Sequence, residues 1–337
     1  MLNFKNDYSD GAHPKILAAM AADNLEHNVG YGCDPHCENA AALIRKACLR
    51  PDADVHFLVG GTQTNLVAIS SALRPHHAVI AADTGHINVH ETGSIEATGH
   101  KVLTAKSPDG KLTPELVAPI LAAHTDEHMV LPRMVYISDS TEVGTLYTKA
   151  ELAALSAFCR EKGLLLYMDG ARLADALAGA GNDLTLPDIA ALTDAFYIGG
   201  TKCGALLGEA LVLMNDAFKP DFRFLMKQRG AMLAKGFLIG RQFETLFSDG
   251  LYLALGRHAD ETAARLQNGF AALGYGFLHR SPTNQIFPVV SAGTLPVLDR
   301  LCRYEVWSPL PDGGAVVRLV TSWATAAATD PRAARRS

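Results

Sequence analysis

The chain has 337 residues, 48% of them hydrophobic and 19% charged, with a formal net charge of −5. That length exceeds one small core, and the slight acidity excludes a general attraction to nucleic acid or anionic membrane. The sequence contains no apolar run long enough to span a bilayer. The six Cys are scattered without a disulfide framework, and Met1 to Asp7 lack a basic-then-apolar signal pattern, so a cytoplasmic location is expected.

In chain order, strand-like and helix-like segments alternate. The spacing predicts a strand at Val55–Val59, a helix from Gln63 to Leu73, and strands at Ala78–Ala82 and Lys101–Thr104. A helix at Pro114–Ala123, a strand at Met134–Ser138 and an amphipathic helix at Lys149–Lys162 follow. Strands at Leu164–Met168, Ala195–Ile198 and Ala210–Met214 complete the set. Strands separated by helices imply an α/β fold, a mostly parallel sheet of about seven strands covered on both faces. Beyond Asp216 the pattern becomes helical from Phe218 to Leu273, broken near Gly230, Gly236 and Gly250. A strand at Gln285–Val290, a helix near Leu295–Tyr304 and a strand at Val316–Thr321 then read as a smaller α+β domain. The expected division is 1–235 for a large cofactor-binding domain with the N-terminal segment, and 236–337 for a connecting helix and small domain. Cys33-Asp34-Pro35-His36-Cys37 has no second ligand pair at a fitting spacing and reads as a loop, so no metal is expected.

Two motifs carry chemistry. Asp169-Gly170-Ala171-Arg172 and Gly199-Gly200-Thr201-Lys202 each follow a short apolar run that reads as a buried strand. In an open parallel sheet, ligands collect beyond the carboxyl ends of strands, so Asp169 and Lys202 can face one crevice. A Lys amine and a carboxylate for a pyridine nitrogen are what a pyridoxal phosphate enzyme requires. Taken singly, a surface Lys and a helix-capping Asp would be the blander assignment. Gly60-Gly61-Thr62-Gln63-Thr64-Asn65 opens a helix after a strand, where backbone N–H groups and the helix dipole favour a phosphate, with Thr62 and Thr64 as further donors. Neither a P-loop nor a Gly-x-Gly-x-x-Gly occurs, which disfavours nucleotide binding.

Together these motifs resemble the threonine aldolase family of low-specificity L-threonine and phenylserine aldolases, within the fold-type-I pyridoxal phosphate enzymes. Tyr31-Gly32-Cys33-Asp34-Pro35, Gly85-His86-Ile87-Asn88 before Glu91-Thr92-Gly93, and Val317-Arg318-Leu319-Val320-Thr321 extend the match from about Tyr8 to Ala324. The resemblance implies that Lys202 carries the cofactor, Asp169 pairs with its ring nitrogen, Arg172 reaches its phenolic oxygen and His86 stacks on its face. Gly61 and Thr62 would hold the phosphate. Ser9 and Arg318 would bind the substrate carboxylate. It further implies a homodimer or homotetramer with the active site at a subunit interface, across which Tyr31 and Lys235 would reach, Lys235 towards a neighbour's phosphate.

The implied reaction is retro-aldol cleavage of a β-hydroxy-α-amino acid, either L-threonine, L-allo-threonine or phenylserine, to glycine and an aldehyde. Its base needs a pKa near the working pH, which points to His: His128 first and His86 second, with a bound water as a further choice. A β-eliminating lyase or an aminotransferase on the same scaffold is the alternative, because fold does not fix reaction. Cys203, next to Lys202, reads as a passive small residue. The tail Ala326–Ser337 lacks amphipathic periodicity and is expected to be disordered or altered.

Overall fold

The computed structural model describes residues 1–326; apart from Ala326, the tail singled out above lies outside the described residues. Seven strands form the central sheet, in the spatial order Asp54–Leu58, Glu209–Leu213, Ala195–Gly199, Leu165–Asp169, Leu131–Ser138, His77–Ala82 and Lys101–Ala105. Glu209–Leu213 pairs antiparallel with both neighbours, and the other pairings are parallel. The expected mostly parallel sheet is present, and all seven predicted strands fall within it.

Side chains alternate along each strand, so this sheet buries both faces. Val135, Ile137, Leu166, Met168, Phe196 and Ile198 pack on one side. Met134, Tyr136, Tyr167, Ala195 and Tyr197 pack on the other, with the helix Gly61–Ala72. Helix boundaries follow local chemistry. Thr148 and Glu151 form a reciprocal capping box at the start of Lys149–Lys162, and Gly163 closes that helix at φ 64°. The helical stretch after Asp216 is three helices, Phe222–Gln228, Phe237–Ser248 and Leu251–Ala272, parted near the glycines expected to break it.

The smaller layer has its own core of Ile286, Val290, Val317 and Leu319, with Ala263 from the long helix. Its strand Ala315–Val320 pairs antiparallel with Glu305–Pro309 and with two short strands, Gln285–Ile286 and Val289–Val290. Pro288 lies between those two, where one strand was expected. The N-terminal strand Leu2–Asn3 pairs with Cys302–Arg303, and Phe4 continues this contact by accepting from Val320 N–H at 2.8 Å. The Cys33–Cys37 motif also differs from expectation. Asp34 caps the helix Pro35–Ala47 by accepting from Cys37 N–H at 2.9 Å, so half of the motif is a first helical turn.

Candidate active site

The carboxyl ends of the strands converge on a cavity of about 290 Å³, lined by Gly60, Gly61, Thr62, His86, Asp169, Arg172 and Lys202 among others. Glycine makes the convergence possible. A Cβ at Gly170 would lie 1.9 Å from the Tyr197 carbonyl oxygen, so the two motif-bearing strand ends meet only with glycine there.

Asp169 ends its strand on the same face as Tyr167, two residues earlier. Its Oδ1 accepts from Tyr197 Oη at 2.5 Å and from Ala171 N–H at 3.0 Å. Its Oδ2 accepts from Tyr136 Oη at 2.7 Å and Asn65 Nδ2 at 3.0 Å. Burial opposes the charge, but His86 and the bonds from Tyr136, Tyr197 and Asn65 outweigh it and hold the carboxyl below its ordinary range. Lys202 faces the opposite balance. Burial, reinforced by the Arg172 guanidinium, lowers its ammonium below the usual lysine range and favours the free amine a nucleophile needs.

His86 opens a short helix, and its Nδ1 sits 2.8 Å from Oε1 of the buried Glu91. Asn65 Nδ2 and Ser94 Oγ also donate to Glu91, each at 2.7 Å, so the imidazole is anchored from behind. Burial disfavours the imidazolium, yet the bond to Glu91 and the charge of Asp169 push the His86 pKa up. The helix Gly61–Ala72 begins at Gly60 with no side-chain cap, and a Cβ at Gly60 would meet open space. Its first N–H groups therefore suit an anion. Thr64 is not available to that anion, because its buried hydroxyl donates to Gly60 O at 3.0 Å.

Arg172 is held by Asp7 of the N-terminal segment through bonds of 2.6 and 3.1 Å, and Asn284 Nδ2 donates to the same Asp7 at 2.9 Å. Arg318 pairs with Glu305 on the neighbouring strand and sits 5.7 Å from the Trp307 ring, while its buried Nε has no partner among the described residues. Cys203 is buried and donates to Tyr252 O at 3.5 Å, which agrees with a passive residue.

Other expected residues lie elsewhere. His128 is exposed in the loop before the strand Leu131–Ser138, at the end opposite the cavity. Eight extended residues separate it from that cavity by roughly 26 Å, so the structure corrects its assignment as base. The loop faces solvent because the strand's buried run begins after it. Ser9 is exposed and donates to Asn6 at 2.7 Å, while Tyr8 beside it lines the cavity. Tyr31 and Lys235 line two separate surface hollows, not the Lys202 cavity of this chain. Residues the sequence reading missed are Glu142, Ser138, Ser140 and Glu209 in the cavity wall, and Asp7 and Asn65 behind it. Asp7 and Asn65 sit inside quoted or neighbouring motifs, whereas Glu142 follows a predicted strand by four residues, a signal that strand-end logic could have used.

The donor set fits pyridoxal phosphate: an amine whose charged form burial disfavours, a carboxylate held ionised by its donors, and an uncapped helix start. Ser140 Oγ, buried in the same wall without a partner among the described residues, offers a further donor. Residues 5–293 match the family model described as beta-eliminating lyase. The chain is 35% identical to the low specificity L-threonine aldolase of a Pseudomonas strain, over 96% of this chain and 93% of that one. It superposes on the Leishmania major threonine aldolase structure with a TM-score of 0.96 at 55% identity, covering 97% and 95% of the two chains. A Thermus thermophilus aspartate aminotransferase, 16% identical with a TM-score of 0.70 over 97% and 88% of the chains, shares the fold. The chain therefore belongs to the threonine aldolase family of beta-eliminating lyases, whose cofactor is pyridoxal phosphate.

Proposed function

We propose that this enzyme cleaves a β-hydroxy-α-amino acid of the threonine class into glycine and an aldehyde. The observation that carries the reading is the pairing of a buried Lys202, its ammonium destabilised by burial and Arg172, with an Asp169 carboxylate held by four donors in one cavity. When bound, pyridoxal phosphate supplies an electron sink for the carbon from which a bond is broken. The chain's residues do the rest. Lys202 would hold the cofactor through its amine, and Asp169 would accept a hydrogen bond from the protonated ring nitrogen. His86, anchored by Glu91, would flank the ring, Gly61 and Thr62 would hold the phosphate, and Arg172 would serve the phenolic oxygen. Arg318, with Ser9 beside the mouth, binds the substrate carboxylate, for which a guanidinium fork is well shaped.

The same reading assigns the cofactor-binding domain to 1–235, and the connecting helix and small domain to 236–337. A homodimer or homotetramer would complete the site, with Tyr31 and Lys235 reaching a neighbouring cavity. Exposed Leu25, Val29, Tyr31 and Phe224 support an interface on this side, where Arg223 donates to Tyr31 O at 3.0 Å. A cytoplasmic location is proposed, supported by the six cysteines, all of them free thiols.

The test is aldehyde formation by the cofactor-loaded protein from L-threonine, L-allo-threonine and phenylserine, with Lys202→Ala as control. Aldehyde from at least one of them, lost in the control, is the expected result. Ammonia with a keto acid, or conversion of the cofactor to its amine form, would instead support the eliminating or transaminating alternative.

A further inference from the structure

Cleavage by this route requires an atom that takes the proton of the substrate's β-hydroxyl, and the hydrogen bonds of the cavity narrow the choice. Three carboxylates line it: Asp169, Glu209 and Glu142. Both oxygens of Asp169 are engaged by the four donors described above. Glu209 accepts from Gly200 N–H at 2.9 Å on Oε2 and from Thr201 Oγ at 2.8 Å on Oε1, so both of its oxygens are engaged too. Glu142 differs. Ser138 Oγ donates to it at 2.7 Å and His86 N–H at 3.1 Å, and both bonds fall on Oε1. Among the described residues its side-chain hydrogen bonds thus fall on one oxygen, with Oε2 left over in the cavity wall.

The alternative acceptor is His86, whose Nδ1 faces Glu91. That nitrogen is already engaged by Glu91, and the same carboxylate and Asp169 push the imidazole pKa up against burial, which disfavours it as the acceptor. Ser138 further ties Glu142 to the floor of the site. Its Oγ lies 3.4 Å from Tyr136 Oη, which itself donates to Asp169.

We propose that Glu142, through its Oε2, is the base that removes the β-hydroxyl proton of the substrate. The proposal rests on the retro-aldol reading above. In the step, the hydroxyl proton moves to Oε2 and the O–H electron pair becomes the second bond of the aldehyde C=O. The Cα–Cβ bond breaks with its pair remaining on the Cα side, where a proton is then taken up to give glycine. Glu142 returns its own proton to solvent, so atoms and electrons balance without an oxidant or reductant. Burial and the charge of Asp169 push the Glu142 pKa above its ordinary range, partly offset by the Ser138 hydroxyl and His86, which makes it a stronger base than an exposed carboxylate. His86, Asp169 and Arg172 are charged groups that act on it across the cavity.

Glu142→Gln keeps the size and leaves an oxygen for Ser138 and His86 to donate to. The cofactor-loaded variant is compared with the wild type in two assays: aldehyde release from L-threonine, and exchange of the glycine α-proton in D2O followed by NMR. Exchange needs Lys202 and the cofactor but no β-hydroxyl. The expected result is aldehyde release lowered by about 10²–10³-fold, with exchange and the bound-cofactor absorbance within a few-fold of wild type. The acid limb of the wild-type pH profile of kcat/KM should also disappear from the residual activity. Aldehyde release within about three-fold of wild type would overturn the assignment, as would equal losses of release and exchange, which would mark Glu142 as a support of the pocket. Absence of aldehyde from the wild type would count against the retro-aldol reading itself.

Discussion

Two buried carboxylates, one ending a strand and one on a helix, behave in opposite ways. Asp169 receives four hydrogen bonds and stays ionised, its pKa held below the usual range. Asp260, on the helix Leu251–Ala272, is 8% exposed, and neither of its oxygens has a partner among the described residues. Burial and the nearby Asp175 push its pKa up to about 10, so it is neutral at physiological pH. Burial beside a second acid therefore neutralises Asp260; directed donors are what keep Asp169 charged. The site invests three tyrosines from adjacent strands in that task, two donating to Asp169 and Tyr167 holding Asn65, which donates to it.

Asp169→Asn strikes this comparison hardest. An amide cannot carry the charge, and its NH2 would face groups that are themselves donors. We expect kcat for aldehyde release to fall by about 10²–10³-fold, the scale for losing a preorganised electrostatic partner, and stability to drop by about 1–3 kcal/mol. Steady-state kinetics and chemical unfolding read the two effects. A variant retaining wild-type kcat would show that ionisation of Asp169 is dispensable.

Asp260→Asn addresses the other side through pH. The folded chain holds a proton on Asp260 that the unfolded chain releases near pH 3.8, so the wild type loses stability as pH rises from there towards about 10. Asn carries no such proton, so its Tm should decline less between pH 5 and 9, by a few degrees at about 2–4 °C per kcal/mol. Some decline should persist, because Asp175, with its pKa raised to about 8 by burial and Asp7, has the same sign. Parallel Tm–pH curves for the two proteins would remove Asp260 as a neutral acid.

Arg318 stands between these cases, charged and paired with the half-exposed Glu305 yet with Nε unsatisfied. Glu305 occupies the fork proposed for the substrate carboxylate. Glu305→Gln should lower KM by about two- to five-fold with kcat unchanged, since a pair exposed to this degree is worth ~1 kcal/mol at most. A raised KM would mean that Glu305 orients Arg318 instead of competing for it. The smallest effect is expected at His128, whose replacement by Phe should leave turnover within about two-fold of wild type, as fits a surface position remote from the chemistry.

Much of this was legible in the sequence because the strands are buried on both faces and announce themselves as short apolar runs. Asp169 and Lys202 follow such runs directly, and strand-end logic put both in one crevice. The helices Pro14–Ala22, Pro35–Ala47, Leu173–Ala178 and Leu186–Leu192 were less visible, being short or beginning at Pro within polar stretches. His128 misled for a directional reason. It precedes its strand, whereas ligands gather after strands, and Glu142 beyond the other end of that strand is the residue that reaches the cavity. Asp7 and Asn284 meet Arg172 from distant parts of the chain, a contact made only by the tertiary fold.

The most direct test of the central claim is an NMR product balance on the cofactor-loaded enzyme with isotopically labelled L-threonine. The account predicts glycine and acetaldehyde in a one-to-one ratio, with no keto acid formed. Ammonia and 2-oxobutanoate in place of glycine would contradict it and make elimination the reaction of this site.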